Sequence, residues 1–298
     1  MKVAVIINPV SGASKTGSRL RELIPRLRRD GHQVERWPTT GPGDARRLGQ
    51  MAAHQADAAV IVGGDGTVCE AADGLVGSTV PMVLWPAGTE NLVARSLGFK
   101  ADPETVSRCL SRGRTMTIDL GKANGRSFTV VAGVGFDAEV VERLTRLRTG
   151  HITHLSYFWP LWRTFWEHRW PRILVEAESP AGTIRWDGRG LVFVGNMARY
   201  ALGLPVVRDA RPDDGLLDLC ILPCTNHVQL IGHSLRTLVK RHVERPGVLY
   251  ERVTRLRATS PSLVPYEADG EAAGCLPLNI EIRPAAIRVK VPPAPPSR

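Results

Sequence analysis

Apolar and polar positions follow two different rhythms along this chain. Up to about residue 122, short runs of small or β-branched apolar residues alternate with stretches of helical spacing. Lys2 to Ile7, Ala58 to Val62 and Val80 to Trp85 read as buried strands. Ser18 to Arg29, Asp44 to Gln55, Val68 to Gly74, Leu92 to Leu97 and Pro103 to Arg112 read as helices. That alternation predicts an α/β layered domain over 1–122 with a mostly parallel sheet. From 123 onward short strands dominate: Ser127 to Ala132, Ile173 to Ala177, Gly190 to Val194, Leu217 to Leu222, Val253 to Thr259 and Asn279 to Ile282. Short strands separated by turns predict a C-terminal antiparallel β-sandwich over 123–285. Ala286 to Val291 is expected to return to the first domain, so that 286–298 belongs with it, and Pro292 to Arg298 reads as a loose tail.

One segment breaks the strand rhythm. Leu155 to Trp170 holds four of the seven tryptophans, and Leu155, Phe158, Trp159, Trp162, Phe165 and Trp166 keep helical spacing. Such a stripe is in the first place the face of a helix packed on the sandwich. The alternative is a Trp-rich surface resting in a bilayer interface beside Arg163 and Arg169.

Composition changes this picture in a few respects. The 298 residues lean toward two domains, and 43% hydrophobic content is that of a soluble globular protein. The N-terminus lacks the apolar h-region of a signal peptide, and no run of about 18 apolar residues occurs. The five cysteines form no C-x-x-C pair, so reduced thiols and a cytoplasmic setting are expected. A net charge of +10 favours anionic partners. Without a helix-turn-helix, zinc-finger or RNP signature, nucleic acid is not an expected partner. The eight histidines show no metal spacing.

The candidate chemistry sits where predicted strands end. Ala58 to Val62 runs into Gly63-Gly64-Asp65-Gly66-Thr67. Glycines let a backbone turn with positive φ and let a phosphate approach without meeting a Cβ, and free N–H groups make an anion nest. Asp65 fits beside phosphate if a divalent cation or a hydroxyl proton lies between them. The plain alternative is a strand-to-helix turn with a capping Asp. Val80 to Trp85 ends similarly in Pro86-Ala87-Gly88-Thr89-Glu90-Asn91, where Thr89 and Asn91 can cap a helix or face a ligand. The first strand ends in Asn8-Pro9-Val10-Ser11-Gly12, and Ser14-Lys15-Thr16 fails as a Walker A motif because Pro9 and Ser14 stand where glycines are needed.

Taken together, Asn8-Pro9-x-Ser11-Gly12, Gly63 to Thr67 with Glu70, and Pro86-x-Gly88-Thr89-x-Asn91 resemble the diacylglycerol kinase-like lipid kinases, which include the sphingosine kinases. The likeness continues through Asp119-Leu120-Gly121, Gly133-x-Gly135-Phe136-Asp137, Asp213 to Asp218 and Asp269-Gly270-Glu271, covering almost the whole chain in order. The resemblance implies the fold of the NAD kinase and diacylglycerol kinase group, with the nucleotide in a cleft between domains. It implies ATP and Mg²⁺ as cofactors and a lipid hydroxyl as acceptor. It carries ATP contacts to Asn8, Ser11, Gly12, Thr40, Gly63, Gly64, Asp65, Gly66, Thr67, Glu70, Gly88, Thr89 and Asn91. It carries the proton acceptor to Asp269, with Glu271 tuning or orienting it; taken alone, Asp269-Gly270 is a turn signal. Asp65 is a further catalytic candidate and, with Asp119, a candidate for metal contact. Asp214 matches the side-chain ligand of a Mg²⁺ ion, with backbone carbonyls at Arg211 and Leu216. Two positions depart from the family pattern: Cys69 replaces a common Asn, and Leu92 replaces a common Asp, which leaves the identity of the lipid open. The expected partners are a lipid and an anionic membrane face, met peripherally from the cytoplasm, with a homodimer open. An NAD kinase-like enzyme and a non-catalytic lipid-binding protein are the alternatives.

Overall fold

The structure is a computed structural model that describes residues 1–11, 17–146, 158–200 and 203–293. Gly12 and residues 155–157 of the tryptophan segment lie outside the described residues, as do 294–298 of the tail. The chain divides into two units, Met1–Asp119 with Ala285–Arg298, and Leu120–Pro284.

The first unit alternates strand and helix: β1 (Lys2–Ile7), α1 (Gly17–Arg29), β2 (Gln33–Pro38), α2 (Asp44–Gln55), β3 (Ala58–Gly63), α3 (Asp65–Leu75), β4 (Met82–Pro86), α4 (Leu92–Ser96), α5 (Pro103–Arg112) and the first part of β5 (Arg114–Ala123). β1 pairs in parallel with β2 and β3, and β3 with β4, so the order is β4-β3-β1-β2. Every residue of β3 is buried, which explains its unbroken apolar run; strands covered on both faces need no alternation. Local chemistry sets the helix ends. Asp102 accepts from Thr105 N at 2.9 Å with Pro103 at the first helical position of α5, a cap worth about 1 kcal/mol.

The second unit continues with β6 (Arg126–Phe128), β7 (Val131–Val134), α6 (Phe136–Arg146), α7 (Phe158–Glu167), β8 (Arg172–Ser179), β9 (Gly182–Gly195), β10 (Leu217–Pro223), α8 (His227–Leu238), β11 (Leu249–Val253), β12 (Arg255–Thr259), β13 (Pro265–Ala268), β14 (Glu271–Cys275) and β15 (Leu278–Val291), whose last residues belong to the first unit. All its registered pairings are antiparallel. β9 serves two sheets: residues 182–189 pair with β8, and residues 190–195 pair with β10 and β7. Its first half alternates in exposure while its second half is wholly buried. Val175, Val192, Leu219, Leu256, Tyr266 and Ile280 meet in the core between the sheets.

Two expected strands come out differently. Ser127 to Ala132 is interrupted at Thr129 and Val130, whose amides leave the sheet for a side chain described below. Val253 to Thr259 divides at Thr254, where β11 pairs with β10 and β12 pairs with β8 and β15. The expected helix at Val68 begins three residues earlier, at Asp65.

Candidate active site

Parallel order brings the carboxyl ends of β1, β2, β3 and β4 to one edge of the first unit's sheet, where ligands of open α/β sheets bind. Asn8 ties two of the loops there. Its N–H donates to Val62 O at 2.9 Å and its side-chain amide to Thr67 Oγ1 at 3.0 Å. Its Oδ1 accepts from Val10 N at 3.0 Å. Ser11 N donates back to Asn8 O at 3.2 Å.

The Gly63 to Thr67 stretch is the junction of β3 and α3 itself. Gly64 is extended (φ −89°, ψ −174°), and none of Gly63, Gly64, Gly66 and Gly88 has positive φ. The glycines serve close approach, not a left-handed turn. A Cβ on Gly88 would lie 2.6 Å from the Gly64 Cα, and one on Gly63 would strike the Thr67 side chain. The two loops therefore touch backbone to backbone. The first amides of α3, an 11-residue helix, open at this edge with the positive end of its dipole.

Asp65, the first residue of α3, accepts from Val93 N at 3.1 Å and so caps α4. Asn91, left-handed at φ 50°, closes its own loop instead, accepting from Gly88 N (2.7 Å) and donating to Gly88 O (2.8 Å). Thr40 donates through both N (2.7 Å) and Oγ1 to the Asp44 carboxylate. Glu70 accepts from Gly43 N at 3.0 Å, holding α3 to the start of α2. Thr89 is exposed at the tip of its loop. Asp119 is buried, and its Oδ1 accepts from Ala285 N (2.7 Å), where the chain re-enters this unit. Leu92 is buried in the core and Cys69 is half-buried on α3.

In the second unit Asp269 and Gly270 join β13 to β14 with φ 51° and 76°, the signs a two-residue hairpin turn demands at both positions. The Asp269 carboxylate accepts four hydrogen bonds. Oδ2 takes Thr129 N (2.7 Å) and Thr129 Oγ1 (2.8 Å), and Oδ1 takes Val130 N (2.8 Å) and Val131 N (3.1 Å). These bonds are what interrupts the strand at Thr129–Val130. Burial pushes the Asp269 carboxyl above the usual carboxylate range, and the four donors pull it back only in part. Glu271 lies outside this cradle, exposed and ion-paired with Arg126, so Asp269 is oriented by Thr129 to Val131.

Behind the hairpin stand Asp137, which ends the Gly133-x-Gly135-Phe136-Asp137 motif, and two residues that sequence reasoning did not single out, Glu267 and Tyr200. Glu267 is fully buried, and its Oε2 accepts from Gly270 N at 2.6 Å. Asp137 accepts from the Tyr200 hydroxyl at 2.9 Å. The two carboxyls meet over Gly133, where a Cβ would lie 2.5 Å from Asp137 Oδ2 and 2.8 Å from Glu267 Oε1. Burial pushes Asp137 up to about 6, against Tyr200 and Glu267, which lower it. Burial first, then the Asp137 charge, drives Glu267 well above its ordinary value. Two buried acids this close resist ionising together. The signal for Glu267 was a lone acid within the buried strand Tyr266-Glu267-Ala268.

Asp214 Oδ1 accepts from Leu216 N at 3.1 Å across the Gly215 turn, while its Oδ2 is buried with Arg252 Nη1 4.0 Å away. Asp218, fully buried on β10, also presents both oxygens without a hydrogen-bond donor. Burial pushes Asp218 up to about 6, with Asp214 and Asp209 adding to it and Tyr250 and Arg252 opposing. Arg211 is exposed on the loop before Asp214. No group of three His, Cys, Asp or Glu side chains converges on a point among the described residues. Orphaned carboxylate oxygens at Asp214 and Asp218 fit a hard cation that keeps most of its waters, as Mg²⁺ does.

The first unit thus carries a helix start and two glycine loops at its sheet edge, and the second a cluster of buried carboxylates. Residues 2–123 match the diacylglycerol kinase catalytic domain, and residues 129–291 match the YegS C-terminal NAD kinase beta sandwich-like domain. A diacylglycerol kinase of Mycobacterium tuberculosis is 31% identical over 98% of this chain and 95% of its own length. One from Staphylococcus carnosus is 28% identical over 93% of this chain and 91% of its own. The crystal structure of a diacylglycerol kinase from Bacillus anthracis shares the fold, with a TM-score of 0.76, 23% identity and 98% of both chains covered. The chain belongs to the diacylglycerol kinase family, enzymes that phosphorylate an alcohol group.

Proposed function

We propose that this protein transfers the γ-phosphoryl group of ATP, with Mg²⁺, to the hydroxyl of diacylglycerol or a related lipid, working peripherally at the cytoplasmic membrane face. The observation that carries this reading is the sheet edge where the opening turn of α3 offers backbone amides, with Asn8 tied to Thr67 on one side and the Gly88 loop packed on Gly64 on the other. On this reading those amides hold the ATP phosphates, with Ser11, Gly12, Thr40, Glu70, Thr89 and Asn91 around them. Asp269 takes the proton of the lipid hydroxyl as that oxygen attacks phosphorus and ADP leaves. Asp214 and Asp218 would hold Mg²⁺, with backbone at Arg211 and Leu216. A bound Mg²⁺ supplies positive charge that offsets the phosphates. Asp65 and Asp119, both engaged with backbone amides, serve mainly to position the loops that carry them. Leu92 leaves its position without a carboxylate, so the deprotonating role falls to Asp269.

The test is a transfer assay with purified protein and labelled ATP, with and without Mg²⁺. The acceptor panel is diacylglycerol, sphingoid bases, ceramide, phosphatidylglycerol and NAD. Labelled lipid only in the presence of Mg²⁺ is the expected result; label on NAD alone, or on nothing, overturns the proposal.

A further inference from the structure

Helices α7 and α8 are built inside out. On α8 the exposed residues Val228, Ile231, Leu235 and Leu238 follow each other at helical spacing, and Val228 and Leu238 are 79% and 63% exposed. The opposite stripe, Leu230, His233 and Thr237, is buried and mostly polar. On α7, Trp159, Trp162 and Trp166 are half or more exposed at the same spacing, whereas Thr164 is fully buried. A surface helix in water carries the reverse pattern. Of the thirteen large apolar side chains exposed among the described residues, nine lie on these two helices or on the α8 cap, Val239. The His227 ring touches Phe165 (4.6 Å), Trp166 (5.5 Å) and Trp170 (5.8 Å), so the α8 stripe begins where the α7 stripe ends.

The charges around the stripes indicate what covers them. α8 contains no Asp or Glu, and the one acid of α7, Glu167, is held by Arg143 (2.6 Å) and Arg163 (2.8 Å). A groove of about 620 Å³ beside Leu235 and Val239 is lined by Arg236, Arg241 and Arg245, and its only acid, Glu244, is paired with Arg241 at 3.0 Å. Apolar side chains flanked by tryptophans and arginines match the layering of an anionic bilayer, with acyl chains below and phosphate headgroups at the level of the cations.

We infer that α7 and α8 form one docking face for an anionic lipid bilayer, with the apolar stripes in the acyl layer and the α8 arginine groove on headgroup phosphate. The inference rests on the proposed lipid acceptor and adds the surface by which the enzyme reaches it. An 18 Å stripe, the approximate length of a 12-residue helix, lies flat in the interface and does not span it.

Vesicle sedimentation without ATP tests the face apart from catalysis. The full-length protein should bind vesicles of phosphatidylglycerol mixed with phosphatidylcholine more tightly than phosphatidylcholine alone. The double variant Ile231→Ser, Leu235→Ser should lose about tenfold or more in affinity, with an unchanged melting temperature and unchanged turnover on detergent-dispersed diacylglycerol. Arg236→Gln and Arg241→Gln should each cost about fivefold, on the anionic vesicles only. Unchanged vesicle binding in the serine variant overturns the inference, and so does a halved mass of that variant in light scattering, which would assign the face to a second copy. If the serine variant fails to fold, the unmodified protein decides: bromine-labelled acyl chains should quench its tryptophan emission, and absence of quenching overturns the inference. Vesicle binding as described without phosphoryl transfer in detergent would sink the kinase reading and leave the docking face standing.

Discussion

Asp269 accepts four hydrogen bonds, so no lone pair of its carboxylate is open to a substrate hydroxyl until one donor lets go. Three of the four donors are backbone amides fixed by the fold, and the Thr129 hydroxyl alone can rotate away. Asp269→Asn should lower turnover by about 10²–10⁴-fold with ATP affinity unchanged, because the sheet edge proposed to hold phosphate is untouched; calorimetry beside a turnover assay checks both halves. Thr129→Val removes the one mobile donor, whose bond holds the carboxyl down. The acidic limb of its kcat/KM profile should therefore move to higher pH with most activity kept, and an unmoved limb would deny Asp269 the proton-accepting role. Gly88 is a residue whose importance is visible only in three dimensions. Gly88→Val forces a Cβ within 2.6 Å of the Gly64 Cα, so the two loops must part, at about 1–3 kcal/mol and with weakened ATP binding. Equal ATP affinity in that variant would show that the phosphate edge does not depend on their contact.

At the scale of elements, sequence and structure agree where local chemistry is explicit. α2 and α5 keep their expected bounds because Asp44 opens the first turn of one, and Asp102 with Pro103 the first turn of the other. β3 is an apolar run bounded by turns, β10 is one broken by the buried Asp218, and both lie where the sequence pattern places them. The start of α3 is obscured because glycines in a first helical turn look like loop. The interruption at Thr129–Val130 is invisible in sequence, since its cause is a carboxylate about 140 residues away. Sequence analysis places no helix over α8 although Val228, Ile231, Leu235 and Leu238 keep helical spacing; that this stripe faces outward is visible only in the structure. The Thr40, Glu70 and Asn91 side chains show how a site motif is partly scaffolding: each is engaged with a neighbouring backbone or side chain. Asp214 and Asp218 differ, with orphaned buried oxygens. Asp214→Asn should raise the Mg²⁺ concentration needed for half-maximal activity without changing the melting temperature in chelator, and an unchanged Mg²⁺ dependence would move the ion elsewhere.

At the scale of the whole molecule, the buried acids set how stability varies with pH. Asp137 holds its proton up to about 6 in the folded protein, whereas an unfolded Asp loses it near 3.9. The folded state binds more protons between those values, so this contribution is complete below about pH 4 and is lost as pH rises through about 6. Glu267, also raised, extends the loss upward, with Tyr200 and Asp269 the other titratable groups facing the pair. Asp137→Asn should flatten the fall in melting temperature across that window, and a slope identical to that of the parent protein would show that Asp137 does not hold its proton there.

The first unit closes only with β15. Its sheet is completed by the far end of β15, where Val289 pairs in parallel with Met82, and Asp119 waits for the Ala285 amide. All of residues 120–284 intervene. During synthesis the whole sandwich therefore leaves the ribosome before the first unit can gain its last strand. For that interval the open β4 edge is an unpaired strand in a half-made protein, the kind of surface that chaperones cover and that aggregates when they do not. The order of completion is thus the reverse of the order of reading: the unit opened first is finished last, and an interrupted message leaves the sandwich whole and the α/β unit ajar.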